Sequence, residues 1–579
     1  MLHPPTSMFS DFRGFFALPL VSWIAPFLLS NPKDTRSCKT IPQDATWPSD
    51  TDWSNFNESI DGRLIRTIPI AQSCHNPTYD EAQCETVRAQ WHSTVLHAQS
   101  SSSMMTPFFA NLSCDPFTAP DDPCVIGTYV QYAVNVSRPA HIYKTLDFVK
   151  KHNIRFVLRN TGHDYMGKST GANALSIWTH FLRETFWIDD FVSPSYRGFA
   201  VKAQPGVTAE MLYEQADAKG LAVVGGECPT VGMAGGYTQG GGHSMLSSVH
   251  GLAADQTLSF EVITTEGEFL VASPTQNRDL YWALSGGGGG TYGIVWSMTI
   301  KGHKDVPVTI AAVEFTSENI SADTFWAGIG AFHADTPSYT AVGGFAIAAY
   351  TTKWFRLKPL AFPSVSSDAV EQLVQPFLGS LDKLHINYTH SIVTHPGFLN
   401  ASQSVASLAD YSVGTSHFGG RLLPASLWRD LPSFLRMNRV IRDIIEDGGM
   451  SFDVALRPSM QVAGNPDNAV LPAWREAERL FIPTLPWDDY ADWDQILQTR
   501  EKVTWTFGEP LRKLTPGGGA YLNEADTSEP DWREAFYGEN YPRLLAIKDR
   551  YDPSQLLYGS TAVGGDRWVE VEDGRLCPA

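Results

Sequence analysis

Two side chains in this sequence stand where covalent chemistry suits them better than packing. Cys228 is the one cysteine in the run GGECPTVGMAGGYTQGGGHS at 225–244, where glycines recur closely enough for backbone amides to approach a ligand. A thiol held among such amides is better placed to react than to fill a core. His163 lies upstream in RNTGHDY at 159–165, a glycine turn that follows the apolar run at 155–158. Taken alone, His163 reads equally well as a buried hydrogen-bonding residue, and Cys228 as a small core residue or disulfide partner. Both are nucleophiles, and the crowded glycines around Cys228 point to a large, flat, polar ligand.

The elements that must position them alternate. Helical spacing is predicted over 139–151, a strand over 155–158, a second strand over 174–178, and a helix over 208–220 with Thr208 as its N-cap and Gly220 as its stop. A hairpin is expected over 258–272, turning at Glu266 and Gly267, then a short helix at 277–284 and a strand at 294–300. Beyond Asp305 longer helices at 368–384 and 425–447 mix with strands at 307–315 and 341–350, without glycine loops, as in a separate domain. Residues 31–110, with a serine run at 100–103, read as an irregular polar lead-in carrying no motif. A helix near 530–549 follows Tyr521–Asp526.

A chain of 579 residues exceeds one ordinary core, so two domains are expected. The content, 43% hydrophobic and 12% aromatic, is that of a globular protein, and a formal charge of -19 argues against nucleic-acid or anionic-membrane partners. The uncharged run at 14–30 follows Arg13 and reads as a secretory signal, falling short of the roughly 20 residues that span a bilayer. No membrane contact is expected once it is removed. Setting Cys228 aside leaves six of the seven cysteines, enough for three disulfides, with Cys114–Cys124 the expected local bridge. Asn57, Asn111, Asn135, Asn319, Asn387 and Asn400 each open an N-x-[ST] sequon, in keeping with an extracellular glycoprotein.

Two motifs mimic other chemistry. GHDYMGKS at 162–169 fits the P-loop pattern letter by letter, but a strand rather than a helix is expected after it, and Asp164 would set negative charge among phosphates. GGGTYG at 288–293 fits a dinucleotide fingerprint but runs from helix to strand, the reverse of the required order. No serine-hydrolase, zincin or C-x-x-C motif is present and no metal site is expected. His243, His250 and His385 are assigned no role.

The turns around His163 and Cys228 resemble those of the vanillyl-alcohol oxidase superfamily, in its berberine-bridge-like, fungal secreted branch. There a histidine in R-x-x-G-H-[SD] and a cysteine in G-x-C-P-T-V-G bond one FAD, at its 8-methyl carbon and carbon 6. The resemblance implies an α+β fold: a PCMH-type FAD-binding domain of two α/β subdomains at 115–305, preceded by a lead-in at 31–114. A substrate domain with an antiparallel sheet would follow at 306–515, and a tail at 516–579 would return to the FAD domain. It implies that Arg159, Asn160, Thr161, Gly162 and Asp164 face the pyrophosphate, with the Arg159 guanidinium assisting. Thr230, Gly232, Gly235, Gly236, Gly241, Gly242 and Ser244 would line the ring and ribityl chain, and the backbone of Gly293, Ile294 and Val295 the adenine. Many relatives carry a tyrosine after the asparagine of Tyr-x-Asn, which acts as the base or helps it, and this chain departs from that pattern. This chain has Tyr521, Asn523 and Glu524 there, so Glu524 is the candidate base if burial raises its pKa, with Tyr521 orienting the ring and a solvated Glu524 the plain alternative. The activity implied is hydride transfer from an alcohol, amine or aromatic small molecule to the flavin, with O2 as acceptor and H2O2 as product, by a monomer. An oligosaccharide oxidase, or an idle glycoprotein keeping the fold, are the alternatives.

Overall fold

The helix Pro139–His152 shows how closely local sequence sets local structure. Proline occupies its first turn, Asn153 ends it in the left-handed region (φ 49°), and Ile142, Leu146 and Val149 share one buried face. In the computed structural model, which describes residues 37–408 and 413–579, this helix connects two strands of a four-stranded sheet. Leu64–Arg66 (β1), Tyr132–Asn135 (β2), Phe156–Arg159 (β3) and Leu175–Trp178 (β4) run in the order β1-β2-β4-β3, with β2, β4 and β3 parallel. The signal segment expected at 1–30 lies outside the described residues.

A five-stranded antiparallel sheet follows, formed by Thr185–Val192 (β5), Arg197–Ala203 (β6), Thr257–Ile263 (β8), Phe269–Ala272 (β9) and Ile294–Lys301 (β10), in the order β5-β6-β10-β8-β9. Leu221–Ala222 (β7) pairs with His303–Lys304 (β11). The helix Ala209–Asp217 is capped by the Thr208 side chain, which accepts from the Met211 amide, and β8 and β9 form the expected hairpin. The third sheet is antiparallel: Val308–Thr316 (β12), Phe345–Tyr350 (β13), Trp354–Pro363 (β14), Tyr388–His395 (β15), Ser416–Phe418 (β16), Arg421–Pro424 (β17), Met450–Ala455 (β18) and Ala477–Pro486 (β19). Helices Ala322–Ala341, Ser367–Lys383 and Leu431–Glu446 bury Phe332, Phe377 and Ile441 in the core that this sheet shares.

The blocks read as separate in the sequence share cores. One apolar cluster joins Val201 and Phe260 of the second sheet to Val308, Phe345 and Leu480 of the third and to Tyr521 and Leu544 of the tail. Leu556 and Leu557 join the core of the first sheet, where Leu557 bridges Phe156. Residues 38–579 accordingly form one compact unit. The expectation of an irregular lead-in is corrected. Its helix Asp50–Ser59 drives Trp53 and Phe56 against Phe148, ring centroids 4.8 and 4.2 Å apart, and β1 edges the first sheet. Its mixed composition hid this, because only two of the ten helix residues, Trp53 and Phe56, are buried.

The six cysteines pair as Cys38–Cys577, Cys74–Cys84 and Cys114–Cys124, leaving Cys228 free. The first joins the lead-in to the last strand pair, Trp568–Glu570 (β20) and Leu576–Pro578 (β21). The P-loop lookalike fails as expected, since 162–169 is loop and leads into β4, and the fingerprint lookalike runs from helix Arg278–Leu284 into β10. Among the described residues no helix is long and apolar enough to cross a membrane.

Candidate active site

The turn carrying His163 leaves the C-terminal end of β3, the end of a parallel strand where ligands bind in open α/β sheets. Gly162 makes it possible: its φ is +86°, and a Cβ there would stand 2.5 Å from the Arg159 guanidinium. Asp164 ties the turn together by accepting from the Met166 and Ser169 amides at 3.0 and 2.6 Å.

This turn meets the glycine run of 225–244. His163 Nε2 lies 2.6 Å from Thr230 Oγ1 and 3.8 Å from Cys228 Sγ, and Cys228 Sγ lies 3.6 Å from the same hydroxyl. Two residues 65 apart in sequence are thus within a ring's width of each other. His163 opens part of its surface to the cleft, yet it lies deep among heavy atoms. Burial, with Arg159 behind it, pulls its pKa down to about 4, so the imidazole is neutral and nucleophilic at neutral pH. Burial pushes the Cys228 thiol up, against hydrogen bonding from Thr230.

Arg159, expected to assist at the pyrophosphate, spends one of its nitrogens on the lead-in. It is 1% exposed, and Nη2 donates to the carbonyls of His97 (3.1 Å), Ser100 (3.0 Å) and Ser103. It braces the turn against the lead-in through Nη2, while Nε and Nη1 are buried without a partner. Ser244 is likewise fully buried, its hydroxyl accepting from the Leu246 amide, and serves its own turn rather than a ligand. Asp164, as described, is a turn brace. Ile294 and Val295 lie in β10, paired with Ile263 and Val262 of β8; β6 joins β10 only from Met298, so their other backbone edge is outside that ladder.

The remaining glycines shape a cradle. Asn160 packs so tightly on Gly232 that a Cβ there would overlap its amide, and Gly235 lies 3.1 Å from the same amide by that measure. A Cβ on Gly236 would meet no atom within 4 Å, and this residue is exposed in the midst of buried chain. Gly241 and Gly242 take φ of +123° and +75°. From the tail, Asn523 Nδ2 donates to the Gly236 carbonyl and to Tyr521 Oη, both at 2.9 Å, and so fixes the buried Tyr521 ring. Thr161 is buried in the turn.

Sequence reasoning missed His243. The two positive-φ glycines before it turn it into the site, where it is 8% exposed. Its Nε2 is 3.1 Å from both Glu524 oxygens and its Nδ1 is 3.3 Å from Glu227 Oε2, the latter off the hydrogen-bonding axis but close enough for a strong charge interaction in a buried place. Burial disfavours a charged imidazole here, but the carboxylates of Glu524 and Glu227 win and raise its pKa well above the usual value. Beside Glu524, Ala525 joins Phe108, Phe109, Tyr165, His417 and Phe418 in lining a pocket walled by aromatic rings.

A flavin fits these residues. The open face of Gly236, the buried and unpartnered Oδ1 of Asn160 beside it, and two nucleophiles converging on one point are what a large planar cofactor with polar edges requires.

Comparison with known proteins agrees. A family model described as FAD binding domain matches residues 130–273, and one described as berberine and berberine like matches 520–563. The FAD-linked oxidoreductase patO of Aspergillus clavatus is 44% identical over 551 residues, covering 93% of this chain and 94% of that protein. The crystal structure of the VAO-type flavoprotein MtVAO615 from Myceliophthora thermophila C1 superposes with a TM-score of 0.90 at 38% identity, covering 94% and 100% of the two chains. A glucooligosaccharide oxidase of Acremonium strictum, described with a 6-S-cysteinyl, 8α-N1-histidyl FAD, shares only the fold (TM-score 0.60, 18% identity, 75% of this chain and 91% of that one). With the flavin cradle, the tail segment and near-full-length relatives in agreement, the chain belongs to the FAD-linked oxidoreductases of the VAO-type flavoprotein family, in its berberine-like branch.

Proposed function

We propose that this oxidoreductase is a secreted, monomeric oxidase whose FAD is attached through both His163 and Cys228, and that it oxidises an alcohol, amine or aromatic secondary metabolite. The observation that carries the reading is the 3.8 Å approach of the two nucleophiles in one cleft. When bound, FAD would supply hydride-accepting chemistry for a substrate C–H, with O2 as the final acceptor and H2O2 as the product.

The chain's own residues do the rest. With Nε2–H donating to Thr230 Oγ1, His163 keeps the Nδ1 lone pair for bond formation. Attachment at two points fixes the ring without a lid and leaves room for a bulky substrate. Glu524 takes the substrate hydroxyl or amine proton on a carboxylate oxygen, and Tyr521, held by Asn523, sets the floor of the site. The rings of Phe108, Tyr165 and Phe418 favour a flat, largely apolar substrate over a sugar, so a carbohydrate oxidase stands second. Three disulfides and six sequons support an extracellular protein.

Acid precipitation tests the attachment. The pellet should stay yellow, with flavin mass on peptides containing His163 and Cys228; a colourless pellet refutes it. A peroxide-release screen of phenolic and alcohol substrates against oligosaccharides then decides the substrate class.

A further inference from the structure

The base and the cysteine turn are joined by charge. Glu227 immediately precedes Cys228, and His243 stands between Glu227 and Glu524, 3.3 Å from one and 3.1 Å from the other. The side chains of Glu227 and His243 are 7% and 10% exposed, that of Glu524 22%, so Glu524 is the most open member, and Ala525 beside it lines the aromatic pocket. The other titratable groups facing the cluster are Tyr165, Tyr237, Tyr521 and Cys228. Burial is the first cause that raises the pKa of each tyrosine, followed by Cys228 for Tyr165, Tyr213 for Tyr237 and Glu524 for Tyr521, and burial does the same for the thiol. All four are neutral at physiological pH, and the cluster's formal charges lie on the triad.

We propose that Glu227 and His243 form a fixed clamp that keeps Glu524 an ionised, correctly aimed carboxylate, so that Glu227, acting through His243, sets the lower pH limit of proton abstraction. This rests on the reading of Glu524 as base. A relay is excluded by the proton count. An imidazolium between two carboxylates already carries a proton on both nitrogens, so His243 cannot accept the one that Glu524 takes from substrate. What it can do is electrostatic. A cation 3.1 Å away faces both Glu524 oxygens, and the two carboxylates, Glu524 first and then Glu227, hold that cation charged where burial alone would neutralise it. Remove Glu227, and the His243–Glu524 pair can collapse to neutral imidazole and neutral acid, which switches the base off. His243 and Glu227 are therefore positioning residues; Glu524 is the catalytic one.

The test uses FAD-loaded full-length protein and needs no substrate. The infrared band of a protonated carboxyl that is absent from Glu524→Gln reports Glu524, and its pH midpoint is followed in wild type, Glu227→Gln and His243→Gln. Both variants should raise that midpoint by about one to three pH units, the range for loss of a close opposite charge. A midpoint unmoved in a loaded, folded variant overturns the proposal. Should neither variant fold, wild type decides: at a pH above the usual histidine value of about 6.5, nitrogen NMR should still find a doubly protonated imidazole. All sixteen histidines neutral at that pH would overturn the clamp. Full turnover by Glu524→Gln on the best substrate of the peroxide screen would remove the base reading alone, and the titration would still decide the clamp by itself.

Discussion

Replacing Gly236 by alanine should separate folding from flavin binding. The residue lies in the short helical segment Met233–Tyr237, its φ is not positive, and the added methyl would meet no protein atom within 4 Å. For the chain alone the change is therefore neutral or stabilising by about 0.4–1 kcal/mol, through a less flexible unfolded state. If that open space is where the flavin lies, the same methyl intrudes on the cofactor at the usual overpacking cost of about 1–3 kcal/mol. At about 1.4 kcal/mol per factor of ten, binding falls by roughly 5- to 150-fold. Gly232→Ala is the control with the opposite outcome, because its Cβ would overlap the Asn160 amide and destabilise the turn with or without flavin. The assay pairs the melting temperature of riboflavin-starved protein with the flavin-to-protein ratio reached after adding limiting FAD. Gly236→Ala that melts like wild type but loads poorly supports the cradle. Gly236→Ala that loads as fast and as fully as wild type would show that the open face of residue 236 is not the flavin site.

Stability should fall with acid in a defined window. Burial holds His97, His163, His180, His250 and His417 at about 4 and His303 at about 3, against about 6.5 when unfolded. Their native-state preference for the neutral form is fully present above about pH 6.5 and is lost as pH drops toward 4. Asp115 and Asp526, raised to about 6 by burial, oppose the trend together with the raised Asp335, Glu478, Glu529, His92 and His243, while the lowered His152 and His333 add to it; a melting temperature flat from pH 7 to about 4.5 would contradict a net loss. Asp453→Asn should cost about 3–5 kcal/mol in urea unfolding, since it strands the fully buried Arg479, while flavin content per folded molecule is unchanged because the pair lies in the third sheet. Peptide mapping should find glycans on the exposed Asn111, Asn319, Asn387 and Asn400 and none on Asn135, whose Oδ1 is buried in β2.

What the sequence revealed and what it hid divide along one physical line. Conformations fixed by a residue's own backbone were legible: the Thr208 cap, the turn of the hairpin, and the positive-φ glycines that bend the chain around His163 and before His243. Cys228 and His163 could be singled out because each sits inside such a local pattern. Interactions whose partner is distant, or is a bare carbonyl, left no trace. Arg159 looked like a phosphate ligand because guanidinium near a glycine turn is a common anion site, but its partners are main-chain oxygens of a serine-rich stretch that any sequence could supply. His243 looked idle because Glu524 is 281 residues away. The same line explains why the lead-in seemed dispensable. It gives carbonyls to Arg159, rings to the first core and a cysteine to the last strand, and each of those contacts is made with chain that comes far later. A flavin turn braced in this way is stiff before any ligand arrives, and so the open face of Gly236 and the paired nucleophiles can be preorganised by protein that never touches them.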